Sequence, residues 1–216
     1  MSDLLKRLET RPPSAQPIAE DAAVLRGFAT SQAEALVAAV HDIAAAAPFR
    51  HMVTPGGFQM SVAMTNCGAA GWITGRSGYR YDRIDPATGR PWPAMPAAFL
   101  DLATRAAAAG GFAAFAPDAC LINRYEPDAR MSLHQDRDER DVSQPIVSVS
   151  LGLPCRFLFG GAARADKAPR ITLESGDVVV WGGAARLRFH GVAPLANGNH
   201  PLTGARRYNL TFRKAL

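Results

Sequence analysis

The chain has 216 residues, a net charge of +5, 48% hydrophobic and 20% charged residues, the balance of one globular domain with at most a small appendage. No apolar run is long enough to span a bilayer, the opening MSDLLKRLETRPPSAQ lacks the apolar core of a secretory signal, and the three cysteines match no zinc spacing. A reducing cytoplasm without structural disulfides is therefore expected.

Residues 1–20 read as a polar tail and 21–216 as the single domain. Ser31 followed by Glu34 predicts a capping box. Leu36, Val40, Ile43 and Ala47 then fall on one helical face, and Pro48 ends the run. Residues 54–90 are rich in Gly, Thr and aromatics and show no helical period, which predicts strands and loops around a site. A second helix is expected over 96–109, with Phe99, Leu102, Ala103 and Ala106 as its apolar stripe and Gly110 at its end. After Gly111 the segments ACLINRYE, IVSVSLGL, CRFLFGG, RITLESGDVVVWGG, LRFHGV and RRYNLTFR are short and β-branched or aromatic. Residues 174–177 read as a turn between two of them. Two helices followed by six or more strands predict an α+β, mainly β fold: a sandwich or barrel with helices on one side.

The charge-dense stretch LHQDRDER carries the chemistry. In an extended segment residues i and i+2 point to one side, so His134 and Asp136 can bind one ion together. His190, in RFHGV, is the candidate third ligand. Two imidazoles and one carboxylate form a facial triad, which leaves open positions and suits non-haem Fe(II). The alternatives are a loop histidine at 134 and a satisfied strand histidine at 190. In RRYNLTFR, Arg207, Asn209, Thr211 and Arg213 share one face, while Tyr208, Leu210 and Phe212 share the other. The apolar face belongs to the core. The polar face either meets solvent, as in many antiparallel sheets, or lines a pocket where guanidinium forks meet a dicarboxylate. The same alternation groups Leu121, Asn123 and Tyr125. Of the 24 basic residues, 21 are arginine; such a charge permits a nucleic-acid partner without demanding one.

Taken with the stretches MVTPGGFQMSVAMTNCG, GWITGRSGYRY, PWPAMP, PDACLINRYEP, SLHQDRDE, PIVSVSLGLP, GDVVVWGG and HPLTGARRYNLTFR, the triad and the arginine pair resemble the AlkB family of Fe(II)/2-oxoglutarate dioxygenases. The resemblance runs from about Phe49 to Arg213. Phe58, Met131 and Arg140 depart from the family beside its motifs, not at ligand positions. The resemblance implies a double-stranded β-helix (jelly-roll) core over about 91–216, with flanking helices and a nucleotide-recognition lid over about 49–90. It implies iron ligands His134, Asp136 and His190, and 2-oxoglutarate held by Asn123, Tyr125, Arg207, Asn209 and Arg213. It further implies a base site formed by Met64, Trp72, Tyr79, Tyr81, Asp138 and Arg164, with Trp72 and His134 as opposite stacking walls. Arg76, Arg137 and Arg164 are candidates for phosphate or lid contacts. The implied reaction is oxidative demethylation of 1-methyladenine and 3-methylcytosine, with 2-oxoglutarate and O2 converted to succinate and CO2 and formaldehyde released. The implied partner is alkylated single- or double-stranded DNA, with RNA as the open alternative, and the enzyme is expected to be a cytoplasmic monomer that contacts no membrane.

Overall fold

The computed structural model describes residues 14–75 and 78–216. In chain order the elements are β1 (Ser14–Ala19), β2 (Ala22–Arg26), α1 (Ala33–Ala46), β3 (Arg50–Val53), β4 (Gln59–Gly68), β5 (Gly71–Gly75), β6 (Gly78–Asp82), β7 (Ile84–Asp85), β8 (Arg90–Pro91), α2 (Ala97–Ala109), β9 (Ala119–Tyr125), β10 (Met131–His134), β11 (Ile146–Gly152), β12 (Cys155–Phe159), β13 (Arg170–Leu173), β14 (Val178–Trp181), β15 (His190–Val192) and β16 (Arg207–Arg213). Among the described residues an eight-stranded antiparallel sheet runs β1-β2-β14-β11-β16-β9-β4-β3, and a four-stranded sheet runs β10-β15-β12-β13.

The two-residue period of a strand sorts the side chains into two layers. Tyr208, Leu210 and Phe212 of β16, Val178 and Val180 of β14, and Cys120 and Ile122 of β9 face the helices, meeting Leu36, Val40 and Ile43 of α1 and Phe99, Leu102 and Ala106 of α2. Their alternates, among them Val179, Trp181, Leu121 and Tyr125, face the smaller sheet and join Phe157, Phe159, Leu173 and Val192. Each Leu, Ile or Phe fully buried this way stabilises the fold by about 1.5–3 kcal/mol. The result is the jelly-roll architecture with both helices behind the larger sheet. The turn expected at residues 174–177 is present, and Gly176 adopts φ +91° where it packs against Thr30. The three cysteines are free and buried, and no helix among the described residues is long and apolar enough to cross a membrane.

Two expectations change. Residues 14–19 are not part of a tail: they form edge strand β1, paired antiparallel with β2. The capping box does not form. Residues Thr30–Gln32 make a 3-10 turn, Gln32 takes the N-cap position, and no side chain caps α1. The chain enters the helix already wound, with the Thr30 and Gln32 amides donating to the carbonyls of Gly27 and Ala29, so the serine has no vacant role. The segment 49–90 is divided between sheets. Strands β3 and β4 belong to the larger sheet, with β4 hydrogen-bonded to β9, and only the β5–β6 hairpin and the short β7–β8 pair stand apart. Arg76 lies outside the described residues.

Candidate active site

The polar alternates of β16 and β9 meet in register between the two sheets. Arg207 pairs with Tyr125, Asn209 with Asn123, and Thr211 with Leu121. On the other side of β16, Asn209 opposes Ser150 and Thr211 opposes Ser148. Facing them, His134 of β10 and His190 of β15 are direct partners. Gly191 allows this close approach, because a Cβ there would sit 2.6 Å from the Met131 carbonyl oxygen. One cavity is lined by Asn123, Tyr125, His134, Asp136, Ser148, Trp181, His190, Arg207, Asn209, Thr211 and Arg213, with Leu121 and Phe157 among its apolar walls.

His134, Asp136 and His190 offer ligand atoms that all lie within 4.8 Å of one another, and they are the group of that kind among the described residues. Each histidine uses Nδ1 against the carbonyl two residues earlier, Ser132 at 2.9 Å and Arg188 at 3.0 Å. Both Nε2 atoms therefore face Asp136, at 3.6 and 3.7 Å. Such second partners set the ring orientation of ligating histidines. Burial acts to raise Asp136, but Arg213 first, then His190 and His134, pull it well below the ordinary carboxylate range. Burial, reinforced by His134, lowers His190 to about 4. One deprotonated carboxylate with a neutral buried imidazole is the ligand chemistry that a divalent ion needs.

The buried arginines differ. Arg213 donates from Nε (3.1 Å) and Nη2 (2.7 Å) to Oδ2 of Asp136, and its Nε is 3.3 Å from Glu139. Its fork is thus engaged with acids of the protein. Arg207, 1% exposed, makes one hydrogen bond, from Nη2 to Ser150 Oγ at 2.9 Å, and stands over the Tyr125 ring at 4.9 Å. Its Nε and Nη1 have no partner, and neither does Oδ1 of Asn123. No carboxylate pairs with Arg207 among the described residues. A buried cation with unpaired donors is costly, so the two free guanidinium donors of Arg207 fit an anionic ligand of the 2-oxoglutarate type, while the free Asn123 oxygen can only accept. Asn209 spends its amide internally: Nδ2 donates to Ser148 Oγ and the Val149 carbonyl, and Oδ1 accepts from Asn123 and Thr211. It braces Asn123. Tyr125 is pushed up to about 12, by burial against the opposing pull of Arg207, so its hydroxyl stays protonated.

The residues expected at a base site divide. Trp72 and Tyr79 stack with ring centroids 5.2 Å apart, and Trp72 Nε1 donates to Asp138 Oδ2 at 2.8 Å. Tyr81, opposite Trp72 in the hairpin, donates its hydroxyl to Glu139 at 2.6 Å. Burial, with the charges of Glu139 and Asp136, raises its pKa well above the usual value. Arg164 is exposed and lies over the Phe189 ring at 5.5 Å, away from the cavity lining; Arg137 is also exposed. Met64 is fully buried with Met52, Leu121 and Tyr125. In the middle of β4 it is packed between the sheets as the register partner of Asn123, outside the cavity lining. Glu139 and Arg186, a buried ion pair at 3.0 Å, went unnoticed in the sequence; the only signal was that Glu139 adjoins Asp138.

A family model of the 2OG-Fe(II) oxygenase superfamily matches residues 21–213. The alpha-ketoglutarate-dependent dioxygenase AlkB of Escherichia coli is 60% identical over 203 residues, 94% of each chain. A DNA N(6)-methyladenine demethylase of Arabidopsis thaliana, ALKBH1D, is 43% identical over 108 residues, covering 45% of this chain and 24% of that protein. The solved structure of OsALKBH1 superposes with a TM-score of 0.83 at 29% identity, over 93% of this chain and all of that one. The chain therefore belongs to the 2OG-Fe(II) oxygenase superfamily and, within it, to the AlkB family of dioxygenases that use Fe(II), 2-oxoglutarate and O2.

Proposed function

We propose that this dioxygenase removes methyl groups from N-alkylated bases of DNA, with 1-methyladenine and 3-methylcytosine as substrates. The observation that carries the reading is the cavity in which His134, Asp136 and His190 converge beside a buried, anion-seeking Arg207, with the Trp72–Tyr79 stack tied by Trp72 to Asp138, two residues after the ligand Asp136. The demethylase relative in Arabidopsis supports the substrate class.

Fe(II), once held by His134, Asp136 and His190, supplies with 2-oxoglutarate and O2 the oxidation of the methyl carbon, which then leaves as formaldehyde. The protein's own groups bind and orient. Arg207 grips a cosubstrate carboxylate through Nε and Nη1, Asn123 adds the second hydrogen of its Nδ2, Tyr125 adds a protonated hydroxyl, and Arg213 fixes Asp136 from behind. A base in duplex or single strand must leave its stack to reach this cavity. Tyr79 covers one face of Trp72, and the other face is the proposed wall for the extruded base, with His134 opposite. Asp138 has a second carboxylate oxygen beyond the one taken by Trp72. It can accept from the exocyclic amino group and favour a cationic ring. The β5–β6 hairpin is thus the recognition lid, the remainder of 21–216 is the catalytic unit, and the enzyme acts as a monomer in the cytoplasm.

The test is formaldehyde release from methylated and unmethylated oligonucleotides of DNA and RNA. The reading requires release from methylated DNA, greater than from methylated RNA and absent without the methyl group. Succinate formation without formaldehyde from any methylated strand would refute it.

A further inference from the structure

The ion pair between Glu139 and Arg186 has no place in iron, cosubstrate or base binding. Both side chains are almost wholly buried, at 2% and 3%. Such a pair is a weak source of stability, since desolvation offsets most of its attraction. It does, however, connect four separate parts of the chain. Arg186 donates from Nη1 to the carbonyl of Asp136, from Nε to the carbonyl of Gln144 at 2.8 Å, and from Nη2 to Oε2 of Glu139 at 3.0 Å. It grips the start, middle and end of the loop that follows β10. The other oxygen of Glu139 accepts the Tyr81 hydroxyl at 2.6 Å and lies 3.3 Å from Arg213. Arg213 in turn holds Asp136.

Two cross-strand partners of the β5–β6 hairpin, Trp72 and Tyr81, therefore bond to two consecutive residues of that loop, Asp138 and Glu139. Side-chain bonds from one register pair fix both the position and the tilt of a hairpin, which one bond alone cannot do. The Tyr81–Glu139 bond is the inner of the two, because Glu139 is buried and Asp138 is exposed.

We propose that Glu139, held by Arg186, is a positioning residue that latches the recognition hairpin through Tyr81 onto the loop carrying Asp136. A base lying against Trp72 is thereby set at a fixed place relative to the metal position. This rests on the demethylase reading above. It reassigns Tyr81 from base contact to latch. Loss of the latch leaves the methyl group out of place, so that, with ascorbate supplied as the two-electron reductant in its stead, cosubstrate is consumed without repair.

Tyr81→Phe tests this with the loss of one oxygen, and Arg186→Lys tests the support behind it. Two readouts are taken on the iron-loaded enzyme: the ratio of formaldehyde to succinate with a methylated oligonucleotide, and amide hydrogen exchange in residues 71–75 and 78–82. In Tyr81→Phe the product ratio falls about threefold or more, and the hairpin amides exchange about tenfold faster. Arg186→Lys moves both in the same direction. A structural defect alone would lower total turnover without changing the ratio. If the wild-type enzyme released no formaldehyde, the functional reading would fail and the exchange data alone would decide the latch. Wild-type exchange in both strands of Tyr81→Phe, or an unchanged product ratio where formaldehyde is made, overturns the proposal.

Discussion

Arg207→Met separates a ligand-binding arginine from a structural one. The substitution keeps much of the side-chain volume and removes the guanidinium. Two of its donors, Nε and Nη1, have no partner, while Nη2 bonds Ser150 and the group stands over Tyr125. Each buried unpaired donor carries a desolvation cost of about 1–3 kcal/mol. The lost cation–π contact is worth about 0.5–2 kcal/mol, and the lost hydrogen bond about 1 kcal/mol. The relief of about 2–6 kcal/mol from two donors opposes a loss of about 1.5–3 kcal/mol, so the metal- and cosubstrate-free variant should be at least as stable as the parent. Cosubstrate binding should respond quite differently. Removing one partner of a buried charge pair costs about 2–5 kcal/mol. At 1.4 kcal/mol per factor of ten, the lower limit alone raises the KM for 2-oxoglutarate roughly thirtyfold. The assay is succinate formation against 2-oxoglutarate concentration, beside denaturant unfolding of the unloaded protein. A large loss of stability with an unchanged KM would show that Arg207 is a fold residue and that no carboxylate meets it.

Asp136→Ala removes the sole anionic ligand of the triad and leaves Arg213 without its closest acid; iron binding by titration and turnover should vanish together, and retained turnover would sink the triad. Asp138→Asn preserves an acceptor for the Trp72 N–H, so the hairpin contact survives while the charge is lost. Turnover efficiency should fall more for a cationic methylated base than for a neutral etheno adduct, whereas Trp72→Ala should weaken both, stacking being worth roughly 1–3 kcal/mol. Equal ratios in the two variants would remove Asp138 from charge reading. The metal-free protein should also lose stability in acid. Folded His190 titrates at about 4 against an ordinary 6.5, so the unfolded chain takes up the proton first. Its contribution is complete above pH 6.5 and is lost as pH falls to 4, by roughly 3 kcal/mol. Melting curves across that range should show a shallower fall for His190→Gln, and parallel curves would contradict the assignment.

Much of the site could be read from strand alternation. RRYNLTFR separates a core face from a polar face by period alone, and Arg207, Asn209, Thr211 and Arg213 do line one cavity while Tyr208, Leu210 and Phe212 pack on the helices. Periodicity says which residues share a face, and it is silent on what they meet across space. It could not reveal that Arg213 turns to Asp136 while Arg207 stays open, since Arg213 and Asp136 lie 77 residues apart. For the same reason the Glu139–Arg186 pair, 47 residues apart, left no trace. Edge strand β1 was hidden because SAQPIA has little alternation and contains Pro17, a residue that edge strands tolerate. Met64 stands in a motif-rich stretch, and only the pairing of β4 on both sides tells that its side chain is packed among core residues.

The proposed demethylation requires that one cavity bring a methylated base, the cosubstrate and the His134–Asp136–His190 triad together. Its most direct test is a product balance on an oligonucleotide carrying a single 1-methyladenine, with Fe(II), 2-oxoglutarate and O2 supplied. The expected balance is one formaldehyde and one succinate for each unmodified adenine formed, with the strand's mass reduced by one CH2. Unaltered oligonucleotide beside continuing succinate formation would contradict it.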